Sequence, residues 1–222
     1  MPIDYTKRPA PAVPPAAPAT PSGPVVLTKA APTVSLAKTG GGTLRVNLNW
    51  NARATEPRGL FKKAAPSLDL DLGCLYEFTD GSKGVVQALG NAFVATDRDT
   101  RTPIIRLDGD DRSGAVSGGE NLLVDLAHVA RIRRVLVFAL IYEGAANWAA
   151  ADGVATLYPA AGPSVTIRLD DPRDGARICA IAMLESQGGT LHVRREVNYI
   201  NGGQRALDEA YGWGMRWTAG RK

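Results

Sequence analysis

The feature that most constrains the fold of this chain is an alternation of apolar and polar residues that recurs from residue 33 onwards. In TLRVNLNW, Leu44, Val46 and Leu48 alternate with arginine and asparagine, which is the period of a β-strand with one buried face. Turn residues separate such runs, and Asp80-Gly81 is typical of a β-hairpin. The pattern predicts strands over residues 33–37, 43–50, 67–79, 83–89, 104–108, 121–126, 133–142, 153–158, 164–169, 177–186 and 190–199.

Short strands with turns every ~8 to 12 residues predict an all-β fold, a two-sheet β-sandwich. One short C-terminal helix is predicted over residues 204–211, where apolar residues recur at helical spacing between glycines. A chain of 222 residues is long enough for one domain with a single core. We expect that domain to span residues 33–222. Residues 1–32 form a Pro/Ala-rich leader that we expect to be disordered, because it holds few large apolar side chains.

Composition excludes several classes of protein. Hydrophobic residues make up 45% of the chain and charged residues 22%, as in ordinary globular proteins. No run of about 18 apolar residues is present, so we expect no membrane insertion. The N-terminus lacks the order of a secretory signal, which favours a cytoplasmic location. Only Lys7 and Arg8 are basic in the first 24 residues, so we expect no nucleic-acid binding by this arm.

Charge is distributed unevenly along the chain. Residues 66–125 hold five Lys or Arg against eleven acids, a net charge of −6. Residues 1–65 hold nine against two (+7) and residues 126–222 hold twelve against nine (+3), which gives the total of +4. An acidic segment inside a folded domain repels itself unless a cation neutralises it. The asymmetry therefore predicts a cationic partner for the central segment.

Two acids interrupt the most apolar predicted strand, in the stretch DLDLGCLYEF. Because side chains alternate along a strand, Leu70 and Leu72 are expected to face the core. Asp69 and Asp71 would then point together to the other face, with their β-carbons about 7 Å apart. Two carboxylates at that distance can share one ion, and without a cation they raise each other's pKa.

A second acidic feature follows in LDGDDRSGAVSGGEN, residues 107–121. Asp108, Asp110 and Asp111 lie among four glycines, and the stretch ends with Glu120. Calcium prefers six to eight oxygen ligands, and a glycine-rich loop frees backbone carbonyls to join carboxylates. The loop thus predicts a calcium site, with magnesium as the rival ion and a turn with solvated acids as the metal-free alternative. It does not match an EF-hand, because its spacing differs and strands flank it.

Other residues with possible chemistry give weaker signals. Cys74 and Cys179 lie within apolar runs and are expected to be small buried side chains without a disulfide. His128 and His192 are 64 residues apart, which gives zinc little support. No serine occurs in a G-x-S-x-G elbow. We therefore expect a binding protein that is not an enzyme; the alternative is a calcium-dependent phosphoester hydrolase that uses the aspartate cluster.

Charged residues near strand ends have simpler interpretations. Arg131, Arg133 and Arg134 precede a strong strand and are expected to form a solvated sheet edge that discourages pairing with another sheet. Glu143 and Glu185 each end an apolar run and are expected to be solvated. They would join an ion site only if those strand ends lie beside the acidic loop.

Several segments, in order, resemble the TerD family of tellurium-resistance and stress-response proteins over residues 34–222. They are VSLAKTGGGTLRVNLNW (34–50), SLDLDLGCLYEFTDGSKGVVQALG (67–90), LDGDDRSGAVSGGENL (107–122), RRVLVFALIYEGAANW (133–148), CAIAMLESQGGTLHVRREV (179–197) and LDEAYGWGMRW (207–217). The stretch GDDRSG at 109–114 is close to the family's Gly-Asp-Asn-Arg-Thr-Gly loop, which is associated with calcium binding.

The resemblance implies a cytoplasmic β-sandwich linked to tellurite and other chemical stress. It also implies a Ca²⁺-ordered module that contacts other proteins of the tellurium-resistance system, among them a membrane-bound partner. Carried over position by position, it implies metal ligands in the family's Asp-Leu-Asp strand and acidic loop. The predicted ligand set is Asp69, Asp71, Asp108, Asp110, Asp111 and Glu120.

Overall fold

The computed structural model describes residues 23–38, 40–50, 68–108, 118–143, 147–170 and 175–217. The strands are β1 (Val25–Val26), β2 (Thr33–Ser35), β3 (Thr43–Asn49), β4 (Asp69–Phe78), β5 (Lys83–Val86), β6 (Val94–Thr96), β7 (Pro103–Leu107), β8 (Glu120–Asp125), β9 (Ile132–Glu143), β10 (Gly153–Tyr158), β11 (Val165–Leu169), β12 (Ile178–Gln187) and β13 (Thr190–Ile200). The helices are α1 (Trp148–Ala151) and α2 (Gln204–Tyr211), and 3₁₀ turns cover Leu89–Asn91 and Leu126–Arg131. Neither helix of this described part has the length and apolar character needed to cross a membrane.

The strands form two sheets. The seven-stranded sheet has the order β1-β11-β10-β3-β8-β7-β6, and the six-stranded sheet has the order β2-β13-β12-β9-β4-β5. Among the described strands, β1 and β11 pair in parallel and the other neighbours pair antiparallel. This arrangement confirms the predicted all-β, two-sheet fold with a short C-terminal helix.

The main core lies between the two sheets and follows directly from the alternation in the sequence. Leu44, Val46 and Leu48 of β3 are fully buried, and Leu70 and Leu72 of β4 belong to the same hydrophobic cluster. Burying one such side chain contributes about 1.5–3 kcal/mol. The two sheets are therefore held together by the faces that the period-two pattern predicts to be apolar.

A second hydrophobic cluster covers the outer face of the six-stranded sheet, so the expectation of a single core is wrong. Leu207 of α2 and Trp213 pack there against Leu75 and Phe138. The Trp213 indole N–H donates to the backbone oxygen of Tyr76 at 3.1 Å. Because α2 and the tail behind it cover this face, β4 is buried on both sides.

One carboxylate ties the tail to α2. Asp208 is 4% exposed and accepts hydrogen bonds from the backbone N–H groups of Gly214 and Met215 at 2.8 and 2.9 Å. It also accepts one from the indole N–H of Trp217 at 2.9 Å. The tail therefore returns across the sheet in a fixed position without forming a strand.

Ordered structure begins earlier than the predicted boundary at residue 33. Val25 and Val26 pair with Val165 and Thr166 as β1, and Leu27 is 3% exposed in the main core. A two-residue strand is too short to show any periodicity, which is why the sequence pattern missed it. The three-residue strand β6 was missed for the same reason. The expected disorder of residues 1–22 lies outside the described residues.

A row of polar side chains crosses the six-stranded sheet from edge to edge. Its members are neighbours in the strand register and run in the order Ser35, His192, Glu185, Arg134, Glu77 and Lys83. The charges in this row alternate in sign from Glu185 to Lys83, and opposite charges on neighbouring strands stabilise a sheet. The row therefore supports the pairing register of this sheet.

The expectation that Arg131, Arg133 and Arg134 form a solvated edge is wrong. Arg131 ends the 3₁₀ turn before β9, and Arg133 and Arg134 lie in β9, an interior strand between β12 and β4. Arg133 and Arg134 each bond the buried Glu77 carboxylate at 2.7 Å, and Arg131 lies 2.8 Å from the Asp97 carboxylate. Strand order is not visible in the sequence, so an interior strand could not be distinguished from an edge.

Replacing Glu77 with glutamine tests how far the charge of Glu77 stabilises the fold. Burial raises the pKa of Glu77, but the hydrogen bond and charge of Arg134, with the charges of Lys83 and Arg133, lower it below its ordinary value. Arg133 and Arg134 keep 67% and 22% exposure, so both can be hydrated in the variant. We expect Glu77→Gln to lower the free energy of unfolding at pH 7 by about 1–3 kcal/mol, measured by urea denaturation.

The difference in stability between wild type and Glu77→Gln is expected to depend on pH. Because the folded pKa of Glu77 is lowered, its stabilisation is present above the unfolded carboxyl pKa of about 4.3 and is lost as the pH falls through the folded value. The stability gap between wild type and Glu77→Gln should therefore narrow in acid. Glu209→Gln, at an exposed carboxylate on α2, is the control and should change stability little. A gap that stays constant down to about pH 2 would contradict this account.

Candidate metal centre

Asp69 and Asp71 lie at the start of β4 and are buried, with 7% and 5% exposure. Asp71 follows the alternation that places Leu70 and Leu72 in the main core. A register shift between Asp69 and Leu70 interrupts that alternation, and with it the simple basis for the expected spacing of about 7 Å. Both carboxylates lie in a strand that is covered on each face, by the other sheet on one side and by the second hydrophobic cluster on the other.

Glu120 brings a third buried carboxylate to the backbone of β4 from the opposite sheet. It is the first residue of β8 and is 2% exposed. One of its carboxylate oxygens accepts a hydrogen bond from the backbone N–H of Leu72. That nitrogen is joined to the carbonyl of Asp71, so Glu120 and the Asp-Leu-Asp strand meet across the sandwich.

The ends of the predicted acidic loop are held by the seven-stranded sheet. The Asp108 N–H donates to the backbone oxygen of Asn121 at 2.8 Å, while the Asp108 side chain is exposed. Asn47 is 7% exposed and donates from its amide to the Gly118 backbone oxygen and, at 3.0 Å, to the Asn121 side chain. Asn47 is not distinguished by the sequence pattern, because an asparagine on the polar side of β3 fits an ordinary strand.

Asp110 and Asp111 lie outside the described residues, so their predicted part in the site stays a prediction. The structure does place the two ends of their loop. Asp108 follows β7, and Glu120 opens β8. The loop thus begins with an exposed carboxylate and ends with a buried one.

The two glutamates expected at strand ends lie far apart. Glu143 is the register partner of Asp69, and Glu185 is the partner of Arg134 at the other end of β9. Arg134 and Glu143 are nine positions apart in the sequence, which is about 30 Å along a strand. Glu143 is therefore next to the candidate site, whereas Glu185 is not. A Glu opposite an Asp is an unfavourable pair of like charges, which a cation would relieve.

Histidine and cysteine complete no metal-binding group with these carboxylates in the described part of the chain. His128 is 3.0 Å from the Asp125 carboxylate, and His192 is 2.9 Å from the hydroxyl of Ser35. Cys74 and Cys179 are free and buried, as expected, and burial raises the pKa of the Cys74 thiol. These side chains give no support to a zinc site at the acidic loop.

The donor chemistry of the site fits calcium. Asp69, Asp71 and Glu120 offer carboxylate oxygens, the ligand type that calcium prefers. Across the described ranges, no group of three or more His, Cys, Asp or Glu side chains is arranged to hold a metal ion. A complete ligand set would therefore need oxygens from residues 109–117 in addition to these carboxylates.

Gly119 connects the loop to β8 in a conformation that favours glycine. Its φ is +62°, and a β-carbon there would lie 2.1 Å from the backbone oxygen of Leu48. We expect Gly119→Ala to lower the free energy of unfolding by about 2–4 kcal/mol, because a positive φ and a backbone clash add.

Gly188→Ala is a matched control for that substitution. Gly188 has a similar φ of +58°, but no atom lies within 4 Å of the position that a β-carbon would take. We expect it to cost only about 1 kcal/mol, the conformational part alone. Thermal or urea denaturation of both variants measures the difference. Equal losses would show that the close approach to Leu48 does not constrain the loop.

Comparison with known proteins gives one relative. No family model matches the chain. Tellurium resistance protein TerA of Alcaligenes sp. is 41% identical over 202 residues, which cover 89% of this chain and 58% of that protein. The chain thus spans a little over half the length of the relative it matches. Along most of its length the chain is thus similar to a tellurium resistance protein, as expected of a TerD-like protein.

Proposed function

We propose that this protein is a non-enzymatic, cytoplasmic calcium-binding protein of a tellurite-resistance and chemical-stress system. Bound Ca²⁺ would order residues 107–121 and so prepare a surface for partner proteins. The observation that carries the proposal is the buried Glu120 carboxylate, which reaches across the sandwich to the backbone N–H of Leu72, next in sequence to the buried Asp71, at the base of an acidic loop.

Burial is what makes these carboxylates informative. Moving a charged group out of water is unfavourable unless partners compensate it. Asp69, Asp71 and Glu120 lie in the segment of net charge −6, and Glu143 is opposite Asp69. A divalent cation is the simplest way to neutralise several acids at one place, and Ca²⁺ would supply that neutralisation here.

The proposed calcium ligands would come partly from the two sheets and partly from the acidic loop. Asp69, Asp71 and Glu120 would contribute oxygens from the two sheets, which are rigid. Asp108, Asp110 and Asp111 would contribute oxygens from the loop, and the loop glycines would allow backbone carbonyls to join them. Asn47 would hold the end of the loop near the sheet through its bond to Gly118.

The role in tellurium resistance is inferred from the name of the relative and from the family. An acidic site repels the tellurite anion, which argues against direct capture of that anion by these residues. We therefore propose an interaction role, with other proteins of the resistance system as partners, a membrane-bound one among them. No catalytic step is needed for this role.

Calcium-dependent melting of the full chain tests the proposal. A ligand at about 100 times its Kd stabilises the folded state by about 2.7 kcal/mol, which raises the Tm of a chain this size by about 5–10 °C. We expect Ca²⁺ to produce such a rise over EDTA and Mg²⁺ to produce less. In Asp71→Asn, at least half of the rise should be lost.

Asp97→Asn provides the matched control. Asp97 is also a buried aspartate of the acidic segment, but it accepts bonds from the backbone N–H groups of Asp99 and Thr100, both at 2.9 Å, and pairs with Arg131. Its replacement should lower the Tm equally with and without Ca²⁺. The proposal fails if wild type shows no calcium response, or if Asp71→Asn and the double substitution Asp110→Ala/Asp111→Ala both keep the full response.

A further inference from the structure

A groove of about 630 Å³ lies along β5, at one edge of the six-stranded sheet. It runs between this strand and the tail that follows α2, and its lining residues differ from those of the candidate metal centre. Its apolar lining includes Val85, Leu89, Met215 and Trp217, and its cationic lining consists of Lys83 and Arg216. Nothing in the calcium proposal uses these residues.

The backbone of β5 is open on the side of the groove. In the described part of the chain, β5 pairs with β4 and has no strand on its other side. Alternate residues of an edge strand direct their N–H and C=O groups outward. Gln87 donates its N–H outward to the Ala92 backbone oxygen at 2.9 Å. Lys83 and Val85 lie four and two positions before Gln87, so their backbone N–H and C=O groups point to the same side of β5. Their backbone groups therefore face the open edge.

The charge of the groove is of one sign. Among the described residues that line it, Lys83 and Arg216 are basic and none is acidic. Lys83 is held in place by the Trp213 backbone oxygen at 2.9 Å and lies 4.0 Å from the Glu77 carboxylate, whereas Arg216 is exposed. The groove is thus complementary to a ligand that carries negative charge.

We propose that this groove binds an extended, acidic segment of a partner protein, which adds to β5 as a further strand. Main-chain hydrogen bonds to Lys83 and Val85 would give affinity. Side chains that alternate along the segment would enter the apolar lining beside Val85 and Trp217, and acids on the segment would lie near Lys83 and Arg216. The inference rests on the interaction role proposed above, but it does not require calcium.

Charge also favours an acidic partner segment over the chain's own C-terminus as the occupant of the groove. Residues 218–222 follow directly after Trp217 in the sequence, but they carry Arg221 and Lys222 and no acid. Two cations would be repelled by Lys83 and Arg216. An acidic segment from another protein is the better match.

Peptide binding to the full chain tests the proposal. The probe is a fluorescent, end-blocked octapeptide of alternating glutamate and valine, measured by anisotropy. We expect it to bind at least about tenfold more tightly than the lysine-valine peptide of the same length. A copy with an N-methyl group on every residue, which has no N–H to donate on either edge, should lose at least about tenfold in affinity. Equal binding of the methylated copy, or no binding at millimolar peptide, would overturn strand addition.

Variants locate the binding site. Val85→Pro removes an N–H that faces the open edge, where proline is tolerated, and Arg216→Glu reverses one charge of the groove. Each should weaken binding of the glutamate-valine peptide by at least about fivefold. Arg106→Glu makes the same charge change at an exposed position of β7, on the other sheet, and should change it by less than about twofold. Equal loss in Arg106→Glu and Arg216→Glu would show general charge attraction and overturn the proposal.

Two further measurements distinguish this proposal from the calcium proposal and from occupation of the groove by the chain's own C-terminus. Peptide binding in EDTA should match binding in Ca²⁺, so a protein without a calcium response that still binds the peptide would refute the metal site and support the groove. A calcium response without peptide binding would support the metal site and refute the groove proposal. If the peptide bound only after removal of residues 218–222, the chain's own C-terminus would be the occupant and the proposal would be wrong.

Discussion

Burial of β4 on both faces is the constraint on which the rest of this structure depends. One face meets the other sheet and the opposite face meets α2 and Trp213, so a charge on this strand must be compensated inside the protein. At the C-terminal end of β4, Arg133 and Arg134 compensate Glu77. At the N-terminal end lie Asp69 and Asp71, with Glu120 close by and Glu143 in register. The same strand thus carries one acid neutralised by arginine and a group of acids for which we propose calcium.

Local pattern was sufficient to predict most of the fold. All eleven predicted strands are present, and the helix ends where glycines bracket it, because alternation and turn chemistry depend on residues close in the chain. Long-range features were not predictable in this way. The cover on the outer face joins Leu207 and Trp213 to residues such as Leu75, which lie more than a hundred positions earlier. Strand order, which places Arg134 in the interior of a sheet, is likewise absent from local sequence.

In the candidate site, too, the local features were predictable from sequence and the long-range contacts were not. Asp69 and Asp71 stood out because charge within an apolar strand is unusual, and their burial gives that signal a physical meaning. The contact of Glu120 with the Leu72 N–H spans 48 residues and no spacing rule predicts it. Asn47 occupies a position where any polar residue would fit the strand pattern, so its bond to Gly118 is visible only in three dimensions. The aspartates at 110 and 111 are known from sequence and family resemblance alone.

The cap at Asp208 has a consequence for how this molecule moves. The tail that forms one wall of the β5 groove is joined to α2 by three hydrogen bonds to the Asp208 carboxylate and to the sheet by the bonds that Trp213 makes with Tyr76 and Lys83. The sandwich, in contrast, is held by continuous ladders between strands. Regions held by few bonds open with less free energy than the globally folded unit. We expect the helix and tail to open as one unit, with amide hydrogens that exchange with solvent before those of β4. A partner that fills the groove would slow this opening, and so would couple its own binding to the rigidity of one face of the sheet.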